Sequence, residues 1–320
     1  MVNRNIIRLG TRGSLLAVTQ SKAVATMLAP LLAGKTIELL TITTSGDKQT
    51  DKPLAASGGK GLFVKEIEEQ LLDGRIDLAV HSAKDLPIEI PADLQIIATP
   101  PRETPNDVWI GHQTCTIQNL PQGACVGTSS MRRQAQLLAM RQDLSVIPLR
   151  GNIDTRLRKV SDGVVAGTFL AAAGLKRTNL LPPQGEVMPT DQFIPAAGQG
   201  TLAIQIRRSD AELAGLLGHL DHAPTRASLA FERAIVRRLA GNCLAPIGVC
   251  AEPRVNDDGW IVRAFIATPD GRQFARATLL SANASTNGLN ALFEPLLQSL
   301  MDRGAGAIMQ QISAIGPPSA

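Results

Sequence analysis

Two periods of apolar spacing alternate through the first two thirds of this chain. Asn5 to Gly10 and Thr36 to Thr44 carry the β-branched and aliphatic runs of strands. Between them Ser14 stands where a helix N-cap belongs, before a helical stretch reaching about Leu32. Leu62 to Leu72 reads as an amphipathic helix, with Phe63, Ile67 and Leu71 on one face and Lys65, Glu66, Glu68 and Glu69 opposite, stopped by Gly74. Strands follow at Asp77 to His81 and Leu94 to Thr99. The polar, glycine-rich stretch 45–59 has no period and reads as a functional flap or a disordered segment.

The alternation then repeats. Strands are expected at Ala124 to Thr128, Leu144 to Leu149 and Val164 to Thr168, each followed by a helix: Ser130 to Arg141, Ile153 to Val160 and Phe169 to Arg177. Leu180 to Phe193 is proline-rich and irregular, and PAAGQG (195–200) leads into a strand at Leu202 to Arg207. The last third changes character. A long helix (Ala223 to Ala240) precedes three consecutive strands (Ile247 to Pro253, Trp260 to Thr268, Gln273 to Leu280) and a helix from about Asn287 to Met301. The pattern predicts two doubly wound α/β domains plus a small α+β C-terminal domain with a three-stranded antiparallel sheet.

Composition narrows the function. The chain has 320 residues, enough for several cores, with 44% hydrophobic and 19% charged residues. A net charge of +4 without like-charge runs, 3% aromatics and no Tyr give no platform for nucleic acid. There is no apolar signal segment at the N-terminus and no run of membrane-spanning length. Cys115, Cys125, Cys243 and Cys250 lack paired spacing, and the four histidines make no metal motif. A cytoplasmic protein with reduced thiols and no metal is expected. SGGKG around Lys60 lacks the Walker spacing, and GQG at 198–200 is not a dinucleotide fingerprint.

The basic residues carry the signal, with 23 Arg against 9 Lys. In open α/β sheets ligands sit at the carboxyl ends of strands. TRGSLLA puts Arg12 at such an edge. HSAKDLP puts Ser82, Lys84 and Asp85 there. GTSSMRRQ supplies Thr128, Ser129, Arg132 and Arg133, and LRGNIDTRLRK supplies Arg150, Asn152, Arg156 and Arg158. Arginine in a first helical turn opposes the helix dipole, so Arg132 and Arg133 are expected to converge on an external anion. Guanidinium forks grip carboxylates bidentately, which points to a polycarboxylate ligand. Asp85, a lone carboxylate among these cations, suits a positive charge developing on a substrate nitrogen. Cys243, in LAGNCLAPIG just past the long helix, lies on a loop and can serve as a thiolate attachment point, although a lone cysteine is more often a small buried hydrophobe.

Taken together, TRGSLLA, GGKGLFVKEIE, HSAKDLP, GTSSMRRQ, LRGNIDTRL, PAAGQG and GNCLAPIG closely resemble, in order and spacing, the porphobilinogen deaminase (hydroxymethylbilane synthase) family from about Arg8 to Gly248. The resemblance implies periplasmic-binding-protein-like lobes at 1–100 with about 200–219 and at 101–199, and a third domain at 220–320. It implies a transferase of tetrapyrrole and haem biosynthesis that joins four porphobilinogen units head to tail with loss of ammonia. The family primer is a dipyrromethane cofactor, a role that places its thioether on Cys243. Asp85 takes the catalytic carboxylate's role. Ser82, Lys84, Thr128, Ser129, Arg132, Arg133, Arg150 and Gln199 match cofactor-binding positions. Arg12, Ser14, Lys60, Phe63, Arg150 and Arg156 match substrate-binding ones, under the mobile loop 45–59. Arg158 matches no family role. Gly13, Leu15, Thr201 and Asn242 depart from the usual family residues without removing a charged or nucleophilic group. The partner expected is small-molecule porphobilinogen, with no nucleic acid or membrane, and the chain is expected to be a monomer. The competing readings are a non-catalytic two-lobed module for a small anion and a nucleic-acid-binding regulator.

Overall fold

The computed structural model describes residues 5–32, 34–48, 61–239, 245–254 and 258–315. Along the chain, β1 (Ile6–Arg12), α1 (Leu15–Leu28), β2 (Thr36–Ile42), α2 (Ser45–Lys48), α3 (Lys65–Leu72), β3 (Leu78–Ser82) and β4 (Leu94–Ala98) come first. Then follow β5 (Asp107–Gly111), β6 (Cys125–Gly127), α4 (Met131–Met140), β7 (Ser145–Ile147), α5 (Ile153–Ser161), β8 (Gly167–Ala171), α6 (Ala172–Arg177) and β9 (Glu186–Val187). The chain continues through β10 (Leu202–Arg207), α7 (Ala211–Leu217) and α8 (Ala223–Leu239). Last come β11 (Ile247–Arg254), β12 (Gly259–Ala267), β13 (Phe274–Ser281), α9 (Thr286–Asn290), α10 (Phe293–Asp302) and α11 (Ala305–Ile315).

The strands form two five-stranded sheets of the same plan and one three-stranded sheet. The first sheet has the order β2-β1-β3-β10-β4 and the second β7-β6-β8-β5-β9. In each, three parallel strands meet a fourth that runs antiparallel to both its neighbours. Each of these strands, β5 and β10, is the first that the chain adds after leaving the other large sheet. Each of the large sheets carries helices on both faces. In the first, Val24 and Leu28 of α1 and Leu213 and Leu217 of α7 bury one face against Leu9, Leu78 and Ile204; Ile67 and Leu71 of α3 bury the other against Ile42, Ala79 and Leu94. In the second, Leu137 of α4 packs with Trp109, Val126 and Phe169, while Val160 and Leu175 back the opposite face. The antiparallel sheet β11-β12-β13 packs against α8 to α11 around Trp260, Val262, Phe231 and Leu296. The architecture is α/β throughout the two lobes and α+β at the end. Among the described residues no helix is long and apolar enough to cross a membrane.

Several elements differ from the pattern-based expectation. Residues 45–48 form a helical turn, tied down by Gly46 N donating to Leu62 O (2.8 Å); 49–59 and Lys60 lie outside the described residues. Glu68, expected on the wet face of α3, is buried. β5 has only five residues, all buried and without alternation, and β8, its partner, runs over Gly167–Ala171 and not over the expected 164–168. Phe169 and Leu170 are strand residues opposite Trp109 and Val108. Phe169 sits between Trp109 and Phe193, with ring centroids 5.0 and 4.5 Å away. The helix expected at 287–301 is two, because Pro295 has no N–H to continue from α9 and sits instead in the first turn of α10. α7 and α11 are additional.

Candidate active site

The site is built at the edge where β1, β3 and β6 end and the two crossing strands, β5 and β10, begin. At the end of β1, Arg12 Nε donates to Asp47 Oδ1 (3.2 Å), and its guanidinium lies 4.1 Å from the Phe63 ring centroid. Gly46 makes that stacking possible, since a Cβ there would meet Phe63 at 2.3 Å. Asp47 also accepts from Thr44 Oγ1 (2.7 Å), and its carboxyl lies below the ordinary range because the Arg12 and Thr44 bonds outweigh burial. Ser14 caps α1 as expected, its Oγ accepting from Ala17 N at 3.4 Å. Ser82, at the end of β3, is held by Gln20 (Nε2 to Oγ, 2.9 Å). The chain then makes a single 3-10 turn, Ala83–Asp85, which leaves the Asp85 carboxylate exposed. Arg12, Ser14, Phe63, His81, Ser82 and Asp85 line one cleft.

The second lobe contributes the arginines. Ser130 caps α4, accepting from Arg133 N (3.4 Å), and Thr128 Oγ1 accepts from Ser130 N (3.1 Å). Arg132 and Arg133, expected to await an external anion, already share an internal one. Asp107 at the start of β5, fully buried, accepts from Arg132 Nη1 (2.8 Å) and from Arg133 Nε (3.0 Å) and Nη2 (2.7 Å). Burial alone would push the Asp107 carboxyl up, but the two guanidinium charges hold it far below the carboxylate range. Backbone carbonyls take further donors, Ile194 O from Arg132 and Phe169 O from Arg133. Arg132 Nε is buried and has no hydrogen-bond partner among the described residues. Ser129 Oγ donates to Leu149 O (3.1 Å).

Gln199 joins the lobes. Its Nε2 donates to Pro105 O (2.6 Å) and Asp107 Oδ1 (3.1 Å), and its Oε1 accepts from Lys84 Nζ at 3.3 Å. Burial pushes the Lys84 ammonium down to about 8; Arg133 and Arg132 add to this, and Asp85 and Asp107 oppose it. Arg156 is pressed the same way, to about 10, by burial and by Arg133 and Arg150, against the pull of Asp85. Its Nε donates to Gly151 O (2.7 Å). Arg150 is half-buried, whereas Arg158 is exposed. Lys84, Arg132, Arg133, Arg150 and Arg156 thus share one electrostatic neighbourhood with two carboxylates, Asp85 and Asp107. Cys243 and Lys60 lie outside the described residues.

The role of Asp107 is not legible in the sequence. Its only signal was an acidic residue opening the apolar run Val108-Trp109-Ile110. Asp47, in the glycine-rich stretch, had none.

The sequence model described as "Porphobilinogen deaminase, dipyromethane cofactor binding domain" matches residues 7–215. The chain belongs to the porphobilinogen deaminase family. Relatives named porphobilinogen deaminase include that of Nitratidesulfovibrio vulgaris strain Hildenborough, 44% identical over 311 residues, covering 96% of this chain and 97% of the relative. That of Syntrophotalea carbinolica is 41% identical over 317 residues, covering 99% of each chain. Among solved structures, the methionine binding protein MetQ covers 72% of this chain and 94% of its own at 14% identity, with a TM-score of 0.42. The sulphonate binding protein SsuA of Escherichia coli covers 74% and 71% at 18% identity, with a TM-score of 0.41.

Proposed function

We propose that this chain condenses four porphobilinogen molecules head to tail, with loss of ammonia, to give hydroxymethylbilane on a dipyrromethane held by Cys243. The observation that carries the reading is the imbalance at the cleft: five cations from both lobes face two carboxylates, one of which is exposed Asp85. Pyrrole units bearing acetate and propionate groups suit that imbalance, because buried or half-buried cations are stabilised by paired anions. The donor set fits a dipyrromethane: Lys84, Ser129, Arg132, Arg133 and Arg150 would hold its carboxylates, with Ser82, Thr128 and Gln199 beside them. When bound, the cofactor supplies the carbon nucleophile that starts the chain.

The protein's own groups have separable tasks. Arg12, Ser14, Arg150 and Arg156, with Lys60, orient the incoming carboxylates, and Phe63 lines the same substrate site, stacked on the Arg12 guanidinium. Asp85 stabilises the positive charge that develops as ammonia leaves, and it sits beside the cations Lys84 and Arg156. We further propose that the functional units are 1–100 with about 200–219, 101–199 and 220–320, acting as a cytoplasmic monomer.

Intact-mass analysis tests the attachment. Protein made in a host that supplies porphobilinogen should carry an added mass of two pyrrole units, absent in Cys243→Ala. A folded, unmodified wild type would overturn the reading in favour of a two-lobed binding module. In the same preparations Asp85→Asn should retain carboxylate binding and lose turnover by roughly 10²–10⁴-fold.

A further inference from the structure

A chain of three polar side chains runs through the middle of the first sheet, on the face covered by α3. His81 lies on β3 opposite Ala203 of β10, and Gln205, two residues further along β10, is its diagonal neighbour on the same face; the two strands pair antiparallel. His81 Nε2 and Gln205 Oε1 are 2.9 Å apart, and Gln205 Nε2 donates to Glu68 Oε1 at 2.8 Å. All three residues are buried. Such a chain inside an otherwise aliphatic layer is costly to maintain and calls for a function.

Its polarity follows from chemistry. Glu68 Oε1 takes the amide N–H of Gln205, a bond that opposes the upward push of burial on the Glu68 carboxyl. The Gln205 carbonyl then faces His81 and only accepts in turn, so His81 Nε2 must carry its proton. The remaining ring atom, Nδ1, is left with its lone pair. Among the described residues it has no protein partner, although His81 lines the same cleft as Arg12, Ser82 and Asp85.

We propose that His81 is a further ligand-binding residue of this site, its Nδ1 accepting a hydrogen bond from an N–H group of the substrate, with Gln205 and Glu68 as positioning residues that fix its tautomer. A neutral acceptor at this point complements Asp85. It can select for an N–H without adding a second negative charge to a cleft that must hold carboxylates. Burial keeps the ring neutral, lowering the imidazolium to about 4 against the raising effect of the Gln205 bond. The assignment rests on the proposed substrate class.

Nitrogen NMR of histidine-labelled holoprotein tests it, with His81→Gln identifying the resonances. The unliganded protein should show the Nε2–H tautomer, and porphobilinogen should move the Nδ1 signal toward that of a hydrogen-bonded acceptor. Movement with a pyrrole lacking the aminomethyl group also assigns the pyrrole N–H as donor; movement with porphobilinogen alone assigns the ammonium. Glu68→Gln should mix the tautomers and lower kcat/KM by roughly tenfold, the loss expected of one hydrogen bond. A wild type in the Nδ1–H form, or turnover of porphobilinogen with Nδ1 unmoved, overturns the His81 assignment alone. Failure to bind or consume porphobilinogen overturns the proposed activity and the assignment with it.

Discussion

Two guanidinium groups meeting one carboxylate at Asp107 define the chemistry of the second lobe's edge. Asp107 neutralises only part of the local charge, yet it fixes both side chains in place before any ligand arrives. Preorganised cations of this kind need little rearrangement on binding. Asp107→Asn removes the shared anion and leaves two buried guanidiniums, so we expect a loss of about 3–5 kcal/mol in denaturant unfolding. An unchanged midpoint would show that solvent already reaches the pair. Lys84 offers a pH signature. Its ammonium titrates near 8 in the unliganded site and near 10.5 when unperturbed. A bound carboxylate favours the charged form and raises the folded value again. Binding of a pyrrole carboxylate to Cys243→Ala should therefore take up a proton between about pH 8 and 10.5, and weaken as pH rises through that window. Titration calorimetry in buffers of different ionisation enthalpy measures it, and no proton uptake would place Lys84 away from the ligand.

At the scale of elements, the sequence was informative wherever an element reads itself. β10 and the Ser14 and Ser130 caps follow from local spacing and hydroxyl chemistry. The cations at strand ends were legible for the same reason, since position relative to a strand is local. Elements whose identity depends on a distant partner were not. β5 is short, and β8 takes its register from it. Asp107, Gln205 and Glu68 acquire their roles only through partners 25 to 137 residues away. The segment PAAGQG shows how a legible motif can have an illegible purpose. Gly198 (φ 74°) and Gly200 (φ 88°) hold Gln199 between the lobes in backbone regions that side chains avoid. A Cβ on Gly200 would meet Glu103 O at 2.2 Å. Gly200→Ala should thus lower the melting temperature and shift Gln199 away from Lys84 and Asp107. A variant of wild-type stability and activity would mean that this crossing is freely deformable.

For the whole molecule, the three domains meet at a buried ion pair. Arg102, in the first crossing, contacts Glu232 of α8 (Nη1 to Oε1, 2.6 Å), and Glu232 also accepts from Gly198 N (2.6 Å) and Ala251 N (2.8 Å). One carboxylate thereby gathers both crossings and the third sheet. Burial raises the Glu232 carboxyl despite the Arg102 charge. Glu232→Gln preserves shape but leaves Arg102 without its counter-ion, for an expected loss of about 3–5 kcal/mol. If Glu232 couples the domains, the unfolding transition should also broaden or split; a single sharp transition at the wild-type temperature would show that the apolar contacts alone join them.

The placement of β10 has a consequence for biosynthesis. The first sheet needs a strand from residues 202–207 to sit between β3 and β4, which end at residues 82 and 98. As the polypeptide leaves the ribosome, the leading lobe must wait for the whole of the second before its own sheet can close. Until then β3 and β4 present two unpaired inner edges, the kind of surface on which chains associate wrongly. A nascent chain stalled after residue 199 should be protease-sensitive throughout its first 100 residues, and one stalled well beyond residue 207 should be protected there.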